Sequence, residues 1–133
     1  MNIADIATFH HKMGLPLGDK DRLLGDKKIQ EFRTKFLDEE LNEFKEALAE
    51  GDRVKAFDAL LDLVYVAGGT ALFMGVTPAK WNAGWSAVQQ ANMAKERVAN
   101  AKSSKRESDF DVVKPKGWVG PEEKLEEIMK WTI

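Results

Sequence analysis

The sequence predicts an all-α, four-helix-bundle-like domain, and three observations predict it. Apolar residues recur at helical spacing through most of the chain. Helix start and stop residues fall between those periodic segments: Asp26, Gly51-Asp52, Gly75, Thr77-Pro78 and Pro121. Strand signal is almost absent, confined to a short patch from Phe110 to Lys114. At 133 residues, 44% of them hydrophobic, the chain reads as one domain over 1–133 with enough apolar surface for a core.

The elements follow in order. Met1 to Met13 is helical, with Ile3, Ile6, Phe9 and His10 on one side, and Gly14-Leu15-Pro16 stops it. Leu15 to Gly25 is a loop with charged Asp19, Lys20 and Asp21. A long helix runs from Asp26, a fitting N-cap, to Glu50. Ile29, Phe32, Phe36, Leu37, Leu41, Phe44, Ala47 and Leu48 form its apolar stripe. The short break Gly51-Asp52 makes the next helix, Arg53 to Met74, its antiparallel neighbour. That helix is Leu, Val, Ala, Gly, Phe and Met on every side from Phe57 onward and reads as buried all round. Thr77 caps a further helix with Pro78 in its first position, running to about Ala99. An irregular, partly basic arm fills 98–120, and Pro121 opens a short terminal helix from Glu122 to Trp131.

Four carboxylates stand out against this pattern. Glu40 and Glu43 fall inside the apolar stripe of the first long helix, with Glu39 at its edge. Asp58 and Asp62, four apart on the next helix, share a face of an otherwise apolar segment. Burying one isolated carboxylate costs several kcal/mol or more, and two such pairs on neighbouring helices also repel. Few basic residues are near in sequence. A bound divalent cation resolves the conflict, and an all-oxygen set suits Mg²⁺ or Mn²⁺.

Composition excludes several classes. With no cysteine there is no disulfide, thiolate metal site or cysteine nucleophile. A net charge of −2 gives no support for nucleic-acid binding. The start of the chain lacks a basic-then-apolar leader, and the apolar run Leu63 to Val76 is too short to span a bilayer. These features read as a soluble cytoplasmic protein with no membrane partner. A carboxylate-bridged di-iron site would need Glu-x-x-His on two helices, and neither His10 nor His11 is preceded by Glu at that spacing.

The ordered motifs resemble a known family. Glu39-Glu40-x-x-Glu43, a gap, then an acidic pair heading an apolar helix is similar to the all-α nucleoside triphosphate pyrophosphohydrolases, the MazG-like superfamily, whose pattern is ExxE followed by ExxD. Glu40 and Glu43 match the first half and Asp62 the final Asp. Ala59 stands where the second Glu would be, with Asp58 one position earlier as its substitute. DALLDLVYVAGGTALFMGV from Asp58, VQQANMAK from Val88 and VVKPKGWVGPE from Val112 resemble the single-domain, phage-type branch.

The resemblance implies a MazG-type fold and hydrolysis of a (deoxy)nucleoside triphosphate between its α- and β-phosphates, with one or more Mg²⁺ or Mn²⁺ per site. It also implies a homodimer or homotetramer in a bacterial or phage-infected host cytoplasm. Glu40, Glu43, Asp58 and Asp62 are then the metal ligands, and Glu39 or Glu40 takes the proton of the attacking water. Lys95, Lys114 and Lys116 are donors for the phosphates. Asn92, Tyr65, Trp85 and His10 serve the nucleoside end. A large flat base suits Trp85 and Asn92, which leans the substrate toward dGTP; dUTP, dCTP and modified nucleotides stay open. The competing expectation is a non-enzymatic helical module that binds a partner through its tryptophans.

Overall fold

The computed structural model describes residues 1–132. Its helices are α1 (Ile3–Met13), α2 (Lys27–Glu50), α3 (Arg53–Phe73), α4 (Pro78–Met93) and α5 (Glu122–Met129). A two-stranded antiparallel ribbon, β1 (Glu96–Arg97) with β2 (Val112–Val113), is the one sheet among the described residues. The chain divides into two compact units, Met1–Trp81 and Asn82–Thr132, and α4 runs through the boundary.

The helix ends are set by local chemistry. Asn2 Oδ1 accepts the Ala4 N–H at 3.0 Å, and Asp26 Oδ1 accepts those of Lys28 and Ile29 at 3.0 and 3.2 Å. Asp52 Oδ1 accepts from Lys55 N at 3.0 Å. Each cap satisfies amides that the first turn leaves without partners. Gly14 and Gly51 close α1 and α2 in the left-handed conformation, at φ 68° and 69°.

In the first unit α3 is central. It packs along α2 across the two-residue break and takes α1 on another face. Ile3, Ile6 and Leu72 form the fully buried centre, with Ala7 and Trp81 against it. Contact between α1 and α3 depends on Gly68, where a Cβ would lie 2.5 Å from Ile6 Cδ1. The loop before α2 is tied to the end of α3 by the Arg22 N–H donating to Phe73 O at 2.7 Å.

Two expectations are corrected here. α3 is not buried all round: Ala56, Ala59, Val66, Leu72 and Phe73 are buried, while Val54, Phe57, Leu61 and Val64 are exposed. Within this unit α1 and α2 are the helices that pack along it. Nor is it too short to cross a membrane by length and composition alone, being 21 residues with a mean hydropathy of 1.5. The run from Leu63 leaves out the turns before Asp62, which add Val54, Ala56, Phe57, Ala59, Leu60 and Leu61 to the same helix. Packing on α1 and α2 makes it a core helix.

In the second unit α4 ends at Met93 rather than Ala99. Chain direction changes there because β1 leaves to pair with β2, and the Val98 N–H donates to Asp111 O at 3.1 Å. Asp111 anchors this turn. Its carboxylate takes the Ser104 hydroxyl at 2.7 Å, the Val112 N–H at 2.8 Å and Arg106 Nη1 at 2.8 Å. The Ser104 bond, followed by that from Val112, holds its pKa below the usual range. Trp118 is pinned to α4 by its indole N–H, which donates to Ala91 O at 2.7 Å.

Candidate metal and nucleotide site

The acidic cluster is built by α2 and α3. Glu40, Glu43 and Asp62 each offer one carboxylate oxygen, and these oxygens lie within 4.8 Å of one another. Glu40 is buried, Asp62 half-buried and Glu43 exposed. Asp58 is exposed and lies outside this group, although its charge is felt at Asp62. The four carboxylates therefore do not all point indoors. Asp58 shares the face of Asp62 but sits one turn nearer the start of α3, where it is exposed, while Ala59 beside it is buried.

Electrostatics mark the same spot. Burial, then the charges of Glu43 and Asp62, a hydrogen bond shared with Glu43 and the charge of Glu39 push the Glu40 carboxyl up to about 7. Burial, then Asp58 and Glu43, raises Asp62. Glu40 Oε2 is buried without any hydrogen-bond partner. Among the described residues no lysine or arginine forms an ion pair with Glu40, Glu43 or Asp62. A buried carboxylate oxygen with no partner is rare and costly. Three hard oxygen donors at this separation fit a divalent cation such as Mg²⁺ or Mn²⁺.

A cavity of about 330 Å³ opens beside the cluster, with Glu40 and Asp62 in its lining. Phe9, Phe32, Phe36, Tyr65 and Phe73 supply aromatic surface, and His10 and Arg33 supply polar groups. Two of the sequence-predicted nucleoside contacts, His10 and Tyr65, thus share a wall with two of the predicted metal ligands. His10 is 3% exposed and its Nδ1–H donates to Pro16 O at 2.7 Å. Phe9 packs edge-on against Tyr65, with ring centroids 5.7 Å apart.

Arg33 was not expected. It is 4% exposed, with Phe32, Phe36 and Phe73 rings at 5.4, 5.4 and 4.7 Å from its guanidinium carbon. Nε donates to Thr70 Oγ1 at 3.1 Å and Nη2 to Val66 O at 3.0 Å. Burial lowers its pKa. The signal was available: Arg33 sits one turn after Ile29 and two turns before Glu40, a charge inside an apolar stripe. Gly69 gives both polar groups room, since a Cβ there would lie 2.8 Å from His10 Nε2 and 3.0 Å from Arg33 Nη2.

Apart from Glu39, the remaining predicted residues lie in the second unit. Lys95 and Lys114 place their ammonium groups 5.4 and 4.8 Å from the Trp118 ring, and Lys116 lines a cavity of about 380 Å³ that Trp118 also lines. Trp118 gathers the predicted phosphate donors. Asn92 and Trp85 are exposed on α4. Glu39 is exposed beside Glu40 on α2.

Residues 6–92 match the family model described as phosphoribosyl-ATP pyrophosphohydrolase, well over half of the 133 residues. No curated protein matches the chain. The matched span includes Glu40, Glu43, Asp62 and the aromatic cavity, and ends before Lys95.

Proposed function

The chain belongs to the phosphoribosyl-ATP pyrophosphohydrolase family, and on that premise we propose that it is a divalent-metal-dependent pyrophosphohydrolase of a (deoxy)nucleoside triphosphate. It cleaves between the α- and β-phosphates and releases the monophosphate and pyrophosphate. The observation that carries this reading is the buried, unpartnered Glu40 Oε2 beside oxygens of Glu43 and Asp62. Glu40, Glu43 and Asp62 would hold Mg²⁺ or Mn²⁺, and Asp58 at the margin would serve a second ion. When bound, the ion supplies positive charge against the triphosphate and makes a water easier to deprotonate.

The chain's own groups do the rest. A carboxylate beside the metal ligands is a suitable proton acceptor, so Glu39 or Glu40 takes the proton of the attacking water. Tyr65 and His10 line the nucleoside end, with Trp85 and Asn92 as further base contacts. Lys95, Lys114 and Lys116 balance the phosphates, steadied by the Trp118 ring. The VVKPKGWVGPE segment supports the single-domain, phage-type branch. The uncovered faces of α2 and α3 support a homodimer or homotetramer. We place the protein in the cytoplasm, without nucleic-acid or membrane partners.

The test is a panel of ribo- and deoxynucleoside triphosphates incubated with Mg²⁺ or Mn²⁺, followed by product separation. Monophosphate plus pyrophosphate is expected, fastest with dGTP. Diphosphate plus orthophosphate would show that the wrong bond had been assigned. A second reading, with phosphoribosyl-ATP as substrate, is favoured by the matched family's description, and adding that compound to the panel decides between them. The alternative of a non-enzymatic helical module requires that Glu40→Gln and Asp62→Asn lose only metal affinity; here they are expected to fold and to be inactive at any metal concentration.

A further inference from the structure

Arg33 presents a chemical problem that the acidic cluster does not solve. A guanidinium carries five N–H groups and no acceptor. Two nitrogens are engaged by α3 through Thr70 Oγ1 and Val66 O, while Nη1 has no hydrogen-bond partner among the described residues. The side chain is almost wholly buried, forms no ion pair with any described carboxylate, and borders the cavity of about 330 Å³. Nη1 is not sealed off by protein, so an acceptor that enters the cavity can reach it.

The walls say what kind of acceptor. Phe9, Phe36, Tyr65 and Phe73 are aromatic, and Glu40 and Asp62 lie at the same cavity. Bare phosphate would meet those two carboxylates, whereas a neutral flat ring meets aromatic faces and edges. We propose that this cavity receives the purine ring and that Arg33 selects a 6-oxopurine, guanine or hypoxanthine, over a 6-aminopurine. The assignment rests on the nucleoside triphosphate reading above and deepens it; it is opposed to the phosphoribosyl-ATP reading, whose base is a 6-aminopurine. Guanine offers O6 and N7 as adjacent acceptors, while adenine replaces O6 with an amino donor. Against Arg33 that amino group sets donor against donor in a desolvated site, which a binding site penalises strongly.

The test uses the full chain without metal and ligands without phosphate, so that it does not depend on catalysis. NMR titrations in EDTA compare deoxyguanosine, deoxyinosine, deoxyadenosine and 2,6-diaminopurine deoxyriboside. The two 6-oxo compounds are expected to bind at least about tenfold more tightly than the two 6-amino compounds. Arg33→Lys keeps the charge and removes the planar fork, and is expected to reduce that ratio to within about threefold. Equal binding of the two classes, binding by none of them, or a folded Arg33→Lys that keeps the ratio would each overturn the proposal. Where Arg33→Lys does not fold, the wild-type series decides alone. A parallel assay with the matching triphosphates and Mn²⁺ separates the two claims. Hydrolysis to monophosphate and pyrophosphate without base preference sinks the Arg33 assignment and leaves the pyrophosphohydrolase standing. Base-selective binding without hydrolysis does the reverse.

Discussion

Glu40 holds its proton to about pH 7, against an ordinary 4.5. Between those values the folded, metal-free protein keeps a proton that the unfolded chain has released. Its stabilising contribution is therefore complete below about pH 4.5 and is lost as pH rises through about 7. Asp62, also raised, adds in the same sense. Thermal unfolding in EDTA should show Tm falling by several degrees from pH 5 to pH 8. Saturating Mn²⁺ should reverse the fall at pH 8, because a ligand of the folded state alone stabilises it. Glu40→Gln should flatten the metal-free pH dependence and lose the Mn²⁺ response. A metal-free Tm that rises over this interval would show that Glu40 is solvated. This residue was legible in sequence, since a Glu within an apolar stripe has few reasons to be there. Arg33 carried the same signal on the same stripe and went unread, because a buried cation without a carboxylate shows itself only when its partners are known.

Among the elements, α1 and the loop before α2 are held to α3 by glycines at close approaches. A Cβ at Gly18 would meet the Val76 carbonyl, and the backbone there has φ 83°. Neither obstacle can rotate away. Gly18→Ala should cost about 2–4 kcal/mol, read as a lowered midpoint in urea at unchanged slope. Gly68→Ala meets side-chain tips and no backbone, Ile6 Cδ1 at 2.5 Å and Ile3 Cδ1 at 3.3 Å. Its cost should be smaller, about 1 kcal/mol. If Gly68→Ala proves the worse of the two, the α1–α3 packing is tighter than described. The helices themselves were readable because caps and stops act over three or four residues. The end of α4 was not: Val88, Met93 and Val98 kept helical spacing past the true end. What stops α4 is the ribbon that β1 forms with Val112–Val113, far beyond the reach of any local signal.

For the whole molecule, the exposed side of α3 decides the question of assembly. Val54 is 79% and Phe57 62% exposed, with Leu61 and Val64 beside them and Leu41 and Leu48 exposed on α2. If a second copy covers these residues, as proposed, light scattering should give a dimer or tetramer, and Phe57→Glu with Leu61→Glu should shift it to the monomer. A wild-type monomer at micromolar concentration would reject that assembly. The chain's helical class, the caps Asp26 and Thr77 and the pairing of acidic stripes on α2 and α3 could be determined from sequence alone. Each follows from spacing along one helix or across one short turn. Only the tertiary structure decided that Glu40, Glu43 and Asp62 converge while Asp58 stands apart, and that His10, Arg33 and Tyr65 enclose one cavity with them. Convergence depends on the rotation of each helix about its own axis, and that is set by the packing of Ala59, Gly68 and Gly69 against neighbours distant in the chain.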